Sequence, residues 1–132
     1  MAGETDLSAL LRGMRPLLAD GVFVFATLPP EAGLPPALRP LMLFHEAEGP
    51  TLVIRREAAQ AAGLAHTYPC RMITLTIHSS LSAVGFLAAI TRRLAEAGIS
   101  VNPVSAYHHD HLFVPVERAE DTMMILGAMG AG

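Results

Sequence analysis

An α+β fold is predicted by three observations. Between Arg71 and Glu117 the apolar period runs from two to about 3.6 and back, which reads as strand, helix, strand, turn, strand. Before Arg71, pairs of short apolar runs flank turn residues, the pattern of antiparallel hairpins. Apolar residues make up 52% of the 132, ample for a buried core.

In chain order, Leu7, Leu10, Leu11 and Met14 recur at helical spacing behind Asp6, so a short helix over 6–14 is predicted, capped by that aspartate. Residues 15–18 and 22–28 flank Asp20-Gly21, a strong turn pair, and read as a first hairpin. The segment PPEAGLPPALRP, 29–40, holds too much proline for a strand interior and reads as an ordered loop with one helical turn near 36–39. It is a plain connection or a lid over a ligand. Residues 41–46 and 51–55 form a second hairpin around Ala47-Glu48-Gly49-Pro50. Residues 56–62 make a short alanine-rich helix closed by Gly63, and 64–69 lead onward.

The central strand, 72–78, places Ile73, Leu75 and Ile77 on one face and Thr74 and Thr76 on the other. Ala83, Phe86, Leu87, Ile90, Leu94 and Ala97 then share a helix face opposite Arg92, Arg93 and Glu96. Ser82 stands at the expected N-cap and Gly98 at the expected C-terminal turn. A second strand covers 99–107. Because Pro103 cannot donate to a ladder, this strand belongs at a sheet edge or carries a bulge. His108 to Asp110 turns the chain into a third strand, 112–116, where Pro115 sits near the end. A final helix spans 117 to about 129.

The segments SSLSAVGFLAAITRRLAEAGISVN and YHHDHLFVPVERAEDTMMIL resemble the ACT domain, the small βαββαβ ligand-sensing module of amino-acid metabolism, and more closely the ACT domains of small bacterial proteins. The resemblance covers roughly the C-terminal half. It implies a ferredoxin-like C-terminal domain over 66–132, completed by or packed with an N-terminal, hairpin-rich, ACT-like half over 1–65. It further implies an amino acid or similar small ligand bound between the loop before the first helix and the start of the second strand. By position the ligand-binding residues are Ser79, Ser80, Val84, Gly85 and Phe86 with Asn102, Val104 and Ser105. Many ligand-binding members carry an acid at the end of the first strand, where this chain has His78 or Ser79. A homodimer is expected, in which association and binding are coupled, together with an enzyme or regulator as the partner acted upon. An ACT domain ends in a fourth strand, whereas this sequence ends in GAMGAG. The exposed edge of the central strand therefore calls for a strand from 15–28 or 41–55.

The residue chemistry of the same loop is compatible with that role, since a strand leading into a helix N-terminus presents N–H groups to an anion. Capping is the plainer use of Ser80 and Ser82, as is local backbone satisfaction for Asn102. His108-His109-Asp110-His111 is the densest set of potential metal ligands, with His109 and His111 on one side of an extended chain. No third ligand follows from spacing, and a solvated turn is the simpler reading. No metal, cofactor or catalytic set is expected. A pair of Ser79 or Ser80 with His78 is poorly placed, because adjacent strand residues face opposite ways. The alternatives to a regulatory binding protein are a structural dimerisation or adaptor module and a small metal-dependent enzyme built on His108–His111.

Net charge is −3, and all nine basic residues are scattered arginines, which argues against nucleic acid as partner. No apolar run is long enough to span a membrane, and the N-terminus MAGETDLS is acidic rather than signal-like, so the expected location is the cytoplasm. The single cysteine, Cys70, excludes an internal disulfide and reads as a small buried hydrophobe.

Overall fold

The computed structural model describes residues 5–131. Its elements in chain order are α1 (Leu7–Gly13), β1 (Arg15–Leu18), β2 (Phe23–Thr27), β3 (Met42–Glu46), β4 (Gly49–Arg55), α2 (Arg56–Ala61), β5 (Ala65–Thr76), α3 (Phe86–Glu96), β6 (Asn102–Ser105), β7 (Asp110–Pro115), a 3-10 turn (Val116–Arg118) and α4 (Ala119–Ala131). They divide into two compact units, one formed by Gly21–Cys70 and the other by the residues up to Asp20 and from Arg71 onward. The contact boundary thus falls inside β5, between Cys70 and Arg71, five residues beyond the division expected from sequence.

The unit over Gly21–Cys70 has strand order β3-β4-β2-β5. β3 and β4 form the expected hairpin, with Glu46 opposite Gly49 across a two-residue turn at Ala47-Glu48. β2 pairs antiparallel with β4, Phe23 opposite Arg55 and Thr27 opposite Thr51, and on its other side with β5, Thr27 opposite Ala65. Its ladder with β5 slips between Phe23 and Phe25, where Tyr68 takes φ +64° and stacks edge-on against Phe25. An extra residue in one strand is a bulge, and it bends β5 at this point. Val24, Leu52, Ile54 and Ala59 are buried together with Leu38, which the proline-rich segment contributes. No helix forms over 28–41. Two turns form instead, one closed by Ala32 N–H to Pro29 C=O at 3.0 Å and the other by Leu38 N–H to Pro35 C=O at 3.0 Å, the second standing where the sequence predicts one.

In the other unit the order is β1-β5-β7-β6. The strand required by the exposed central edge is β1: Arg15, Pro16, Leu17 and Leu18 lie opposite Thr76, Leu75, Thr74 and Ile73. β1 therefore forms no hairpin with β2, contrary to expectation. Asp20-Gly21 separates two strands that pair with different stretches of β5, because the apolar edge at Ile73 to Leu75 is a better partner for β1 than a solvated ribbon would be. Pro16 and Pro103 both lie on edge strands, where a missing N–H costs no ladder bond. Ile73, Leu75, Phe86, Ile90, Leu94, Leu112, Val114 and Leu126 form the core, joined by Leu10 from the middle of α1 and Met14 from its C-cap. Each fully buried side chain of this size contributes roughly 1.5–3 kcal/mol.

Taken from its first strand, each unit has the same order. β2, the proline-rich segment, β3, β4, α2 and the start of β5 correspond to β5, α3, β6, β7, α4 and β1, so the internal repeat that sequence alignment does not reveal is present in the topology.

Candidate functional site

β5 ends at Thr76, and the chain then runs irregularly from Ile77 to Gly85 before α3 begins. The Ser80 hydroxyl accepts from Ser82 N–H at 3.0 Å, and Ala83 N–H donates to Ser80 C=O at 3.0 Å. Ser80 thus builds a tight turn on itself. The N-cap of α3 is Gly85, not Ser82, with φ +93° and ψ −10°. This left-handed conformation explains the glycine, since a Cβ there would find ample space, Leu7 Cδ2 at 3.7 Å being its nearest neighbour. Ala89 N–H donates to Gly85 C=O at 2.9 Å, so the N–H groups of Phe86, Leu87 and Ala88 precede the first intrahelical bond.

Those three residues line a cavity of about 120 Å³, together with Ser79, Ser80, Leu81, Ala83 and Gly85 from the loop, Ser105 and Ala106 from the end of β6, and Asp110 from the start of β7. Five of the eight sequence-predicted residues meet here: Ser79, Ser80, Gly85, Phe86 and Ser105. Val84 is 85% exposed, and neither Asn102 nor Val104 lines the cavity.

Asp110, expected from sequence to be a turn residue, is the member that sequence reasoning missed. It opens β7 rather than closing the turn and is 8% exposed. Ser105 Oγ donates to its Oδ1 at 2.5 Å and Ser79 Oγ to its Oδ2 at 3.4 Å. A buried acid held by two hydroxyls thus lines the same cavity as a helix N-terminus, two groups of opposite polarity. The available signal was the spacing from Ser105 to Asp110, which pairs them across the β6–β7 hairpin.

The histidines around it are individually engaged. His111 Nδ1 lies 2.9 Å from Thr74 Oγ1, and His109 Nδ1 lies 3.3 Å from Ile77 C=O. Burial pushes the His111 imidazole below the usual histidine range, a charge on His109 adds to this, and Asp110 opposes it. Ring centroids of His109 and His111 are 6.4 Å apart. Among the described residues no three His, Cys, Asp or Glu side chains converge as a metal site.

Two frames of one strand order, with a helix after the first strand in one and a proline-rich loop in the other, define the class: a tandem α+β module. The chain belongs to the ACT-domain family, which matches residues 2–71 and again residues 67–127. A Vibrio cholerae protein of unknown function, described as a possible transport protein, is similar at 42% identity and a TM-score of 0.84, over 94% of this chain and 95% of that one. An Agrobacterium tumefaciens protein is similar in fold at 16% identity and a TM-score of 0.76, over 89% of each chain. The regulatory subunit of aspartate kinase from Thermus flavus shares the fold at 10% identity and a TM-score of 0.67, over 98% of this chain and 99% of that one. No curated protein matches the chain. No helix among the described residues is long and apolar enough to cross a membrane.

Proposed function

We propose that the protein is a non-catalytic regulatory module that binds a free amino acid in the cavity between the Ser79–Gly85 loop and β7. One observation carries this reading: a buried carboxylate, Asp110, shares a small cavity with the open N-terminus of α3. An α-amino acid presents an ammonium and a carboxylate on one carbon, and the cavity offers a partner for each. Asp110, with Ser79 and Ser105, takes the ammonium. The N–H groups of Phe86 to Ala88 take the carboxylate. Val84, Asn102 and Val104, outside the cavity, belong to the rim of the proposed site. The exposed Leu81, Val84 and Tyr107 beside it suit cover by a second copy, giving a homodimer whose assembly responds to ligand and is read by an enzyme or regulator in the cytoplasm. The regulatory role carried in the name of the Thermus flavus relative supports the same reading.

The test is a thermal-shift screen of untagged protein against the twenty amino acids and common divalent metals, with size-exclusion chromatography of any hit. A ligand at a hundredfold excess over its Kd stabilises by about 2.7 kcal/mol. The expected result is a shift with one amino acid or a small group, lost in Asp110→Asn and in Gly85→Glu. Silence across the amino acids would overturn this reading in favour of a structural dimerisation module, and a shift with metal alone would move attention to His108–His111.

A further inference from the structure

The unit over Gly21–Cys70 holds a second cavity, of about 450 Å³, remote in sequence from the Ser79–Gly85 loop. Its volume falls in the range typical of small-molecule sites. Phe23, Leu38, Leu41, Ile54 and Ala58 give it an apolar floor, and Arg39 and Arg55 are its only charged lining residues.

Both guanidinium groups are held in place without an acidic partner. Arg39 Nη1 donates to Pro36 C=O at 2.7 Å and to Leu38 C=O at 3.2 Å, so the proline-rich segment anchors its own arginine. That segment is itself pinned by the burial of Leu38 and by Leu41 N–H donating to Val53 C=O at 2.7 Å. The Arg55 guanidinium lies 5.4 Å from the Phe23 ring centroid. It also passes so close to Gly21, at φ +93°, that a Cβ there would overlap Arg55 Nη1. The absent side chain at position 21 is what lets the guanidinium settle. Among the described residues the ion pairs are Arg92 with Glu96 and Arg118 with Asp121, and neither involves Arg39 or Arg55. Two exposed arginines border an apolar cavity whose lining holds no anion, so its charge is wholly positive in a chain whose net charge is −3.

We propose that this cavity is a binding site for a small amphipathic anion, an apolar body carrying one carboxylate or phosphate head. The head is gripped by Arg39 and Arg55 while the body lies against Phe23, Leu38 and Ile54. The site is independent of the amino-acid reading above and gives the two units different ligand chemistries.

The test titrates octanoate, hexyl phosphate and the neutral octanamide into the full chain, followed by amide chemical shifts of Ala37, Leu41 and Ala58. Saturable binding of octanoate or hexyl phosphate is expected, with octanamide weaker by roughly tenfold or more, as loss of a charge-assisted contact requires. Arg39→Gln and Arg55→Gln should weaken the anion by a similar factor, whereas Asp110→Asn leaves it unchanged. The better of the two anions identifies the head group. Failure of both anions to saturate overturns the proposal, as does equal binding of octanamide or indifference to both arginine substitutions. The comparison of anion with amide uses the unaltered chain, so it stands even where a variant folds poorly.

Discussion

The two units share one strand order and differ in the segment that leaves the first strand. In one, β5 leads through Ser79–Gly85 into α3, whose buried Phe86, Ile90 and Leu94 cover the sheet and whose N-terminus faces a small polar cavity. In the other, β2 leads into a proline-rich segment that cannot propagate a helix, inserts one buried side chain, Leu38, and leaves a wider apolar cavity with two arginines. A frame of four strands thus tolerates a helix or a loop at the same topological position, and the choice sets the size and polarity of the space beneath.

The contrast between helix and loop is tested most directly in the two covering segments. Leu94→Ala, in α3, is expected to cost about 2–5 kcal/mol in urea denaturation. Leu38→Ala, at 9% exposure and the one buried side chain of its loop, is expected to cost about 1–2 kcal/mol. Equal losses would mean that the loop is as integral to its core as the helix.

Glycines in the same two segments should also respond differently. Gly85→Ala forces a left-handed alanine and should cost roughly 1–2 kcal/mol by the same measurement. Gly33→Ala, in the proline-rich segment, meets nothing within 4 Å and is strained by no positive φ. It should be neutral or stabilising by up to about 1 kcal/mol, because it narrows the unfolded ensemble.

A smaller effect separates the units by pH. The folded pKa of His111 is depressed, so its contribution is complete above the ordinary histidine value of about 6.5 and is lost as pH falls through the lower folded value. Stability of the parent should therefore decline more steeply on acidification below neutrality than that of His111→Gln, as followed by urea midpoints across that range. Identical slopes would remove His111 from the acid response.

The smallest effect is chemical. Burial pushes the Cys70 thiol up to about 12, and its Sγ donates to Phe23 C=O at 3.3 Å. A folded pKa raised this far contributes stability that is present below the ordinary thiol value and lost as pH rises toward 12. At about pH 8, near the ordinary thiol value, iodoacetamide should label Cys70 only after denaturation, and rapid labelling of the native chain would show that this part of β5 opens readily.

Much of the architecture was legible locally. The strand over Ile73 to Thr76, the 3.6-residue recurrence from Phe86 to Leu94, and the placement of Pro103 on an edge all follow from period and backbone chemistry, whereas Ile77, expected in the same strand, lies just past the end of β5. Three features were not legible, each for a nonlocal reason. Asp20-Gly21 is a good hairpin turn by composition, yet β1 and β2 each pair with β5, because register is decided by whichever edge buries more apolar surface. Ser82 is a better N-cap than Gly85 by residue type. The turn that Ser80 builds postpones the helix, and Gly85 meets the backbone angle required there. Asp110 reads as a turn aspartate until strand pairing brings Ser105 and the end of β5 against it.

By itself the sequence determined the elements, the faces they bury and the loop where ligand chemistry is concentrated, because these depend on side-chain period and backbone preference over a few residues. Only the tertiary structure decided which strand completes which sheet, that both halves repeat one topology, and that a carboxylate from β7 shares a cavity with the N-terminus of α3. Those outcomes depend on pairings between residues tens of positions apart, where competing edges and buried polar groups are weighed against each other and no local pattern records the result.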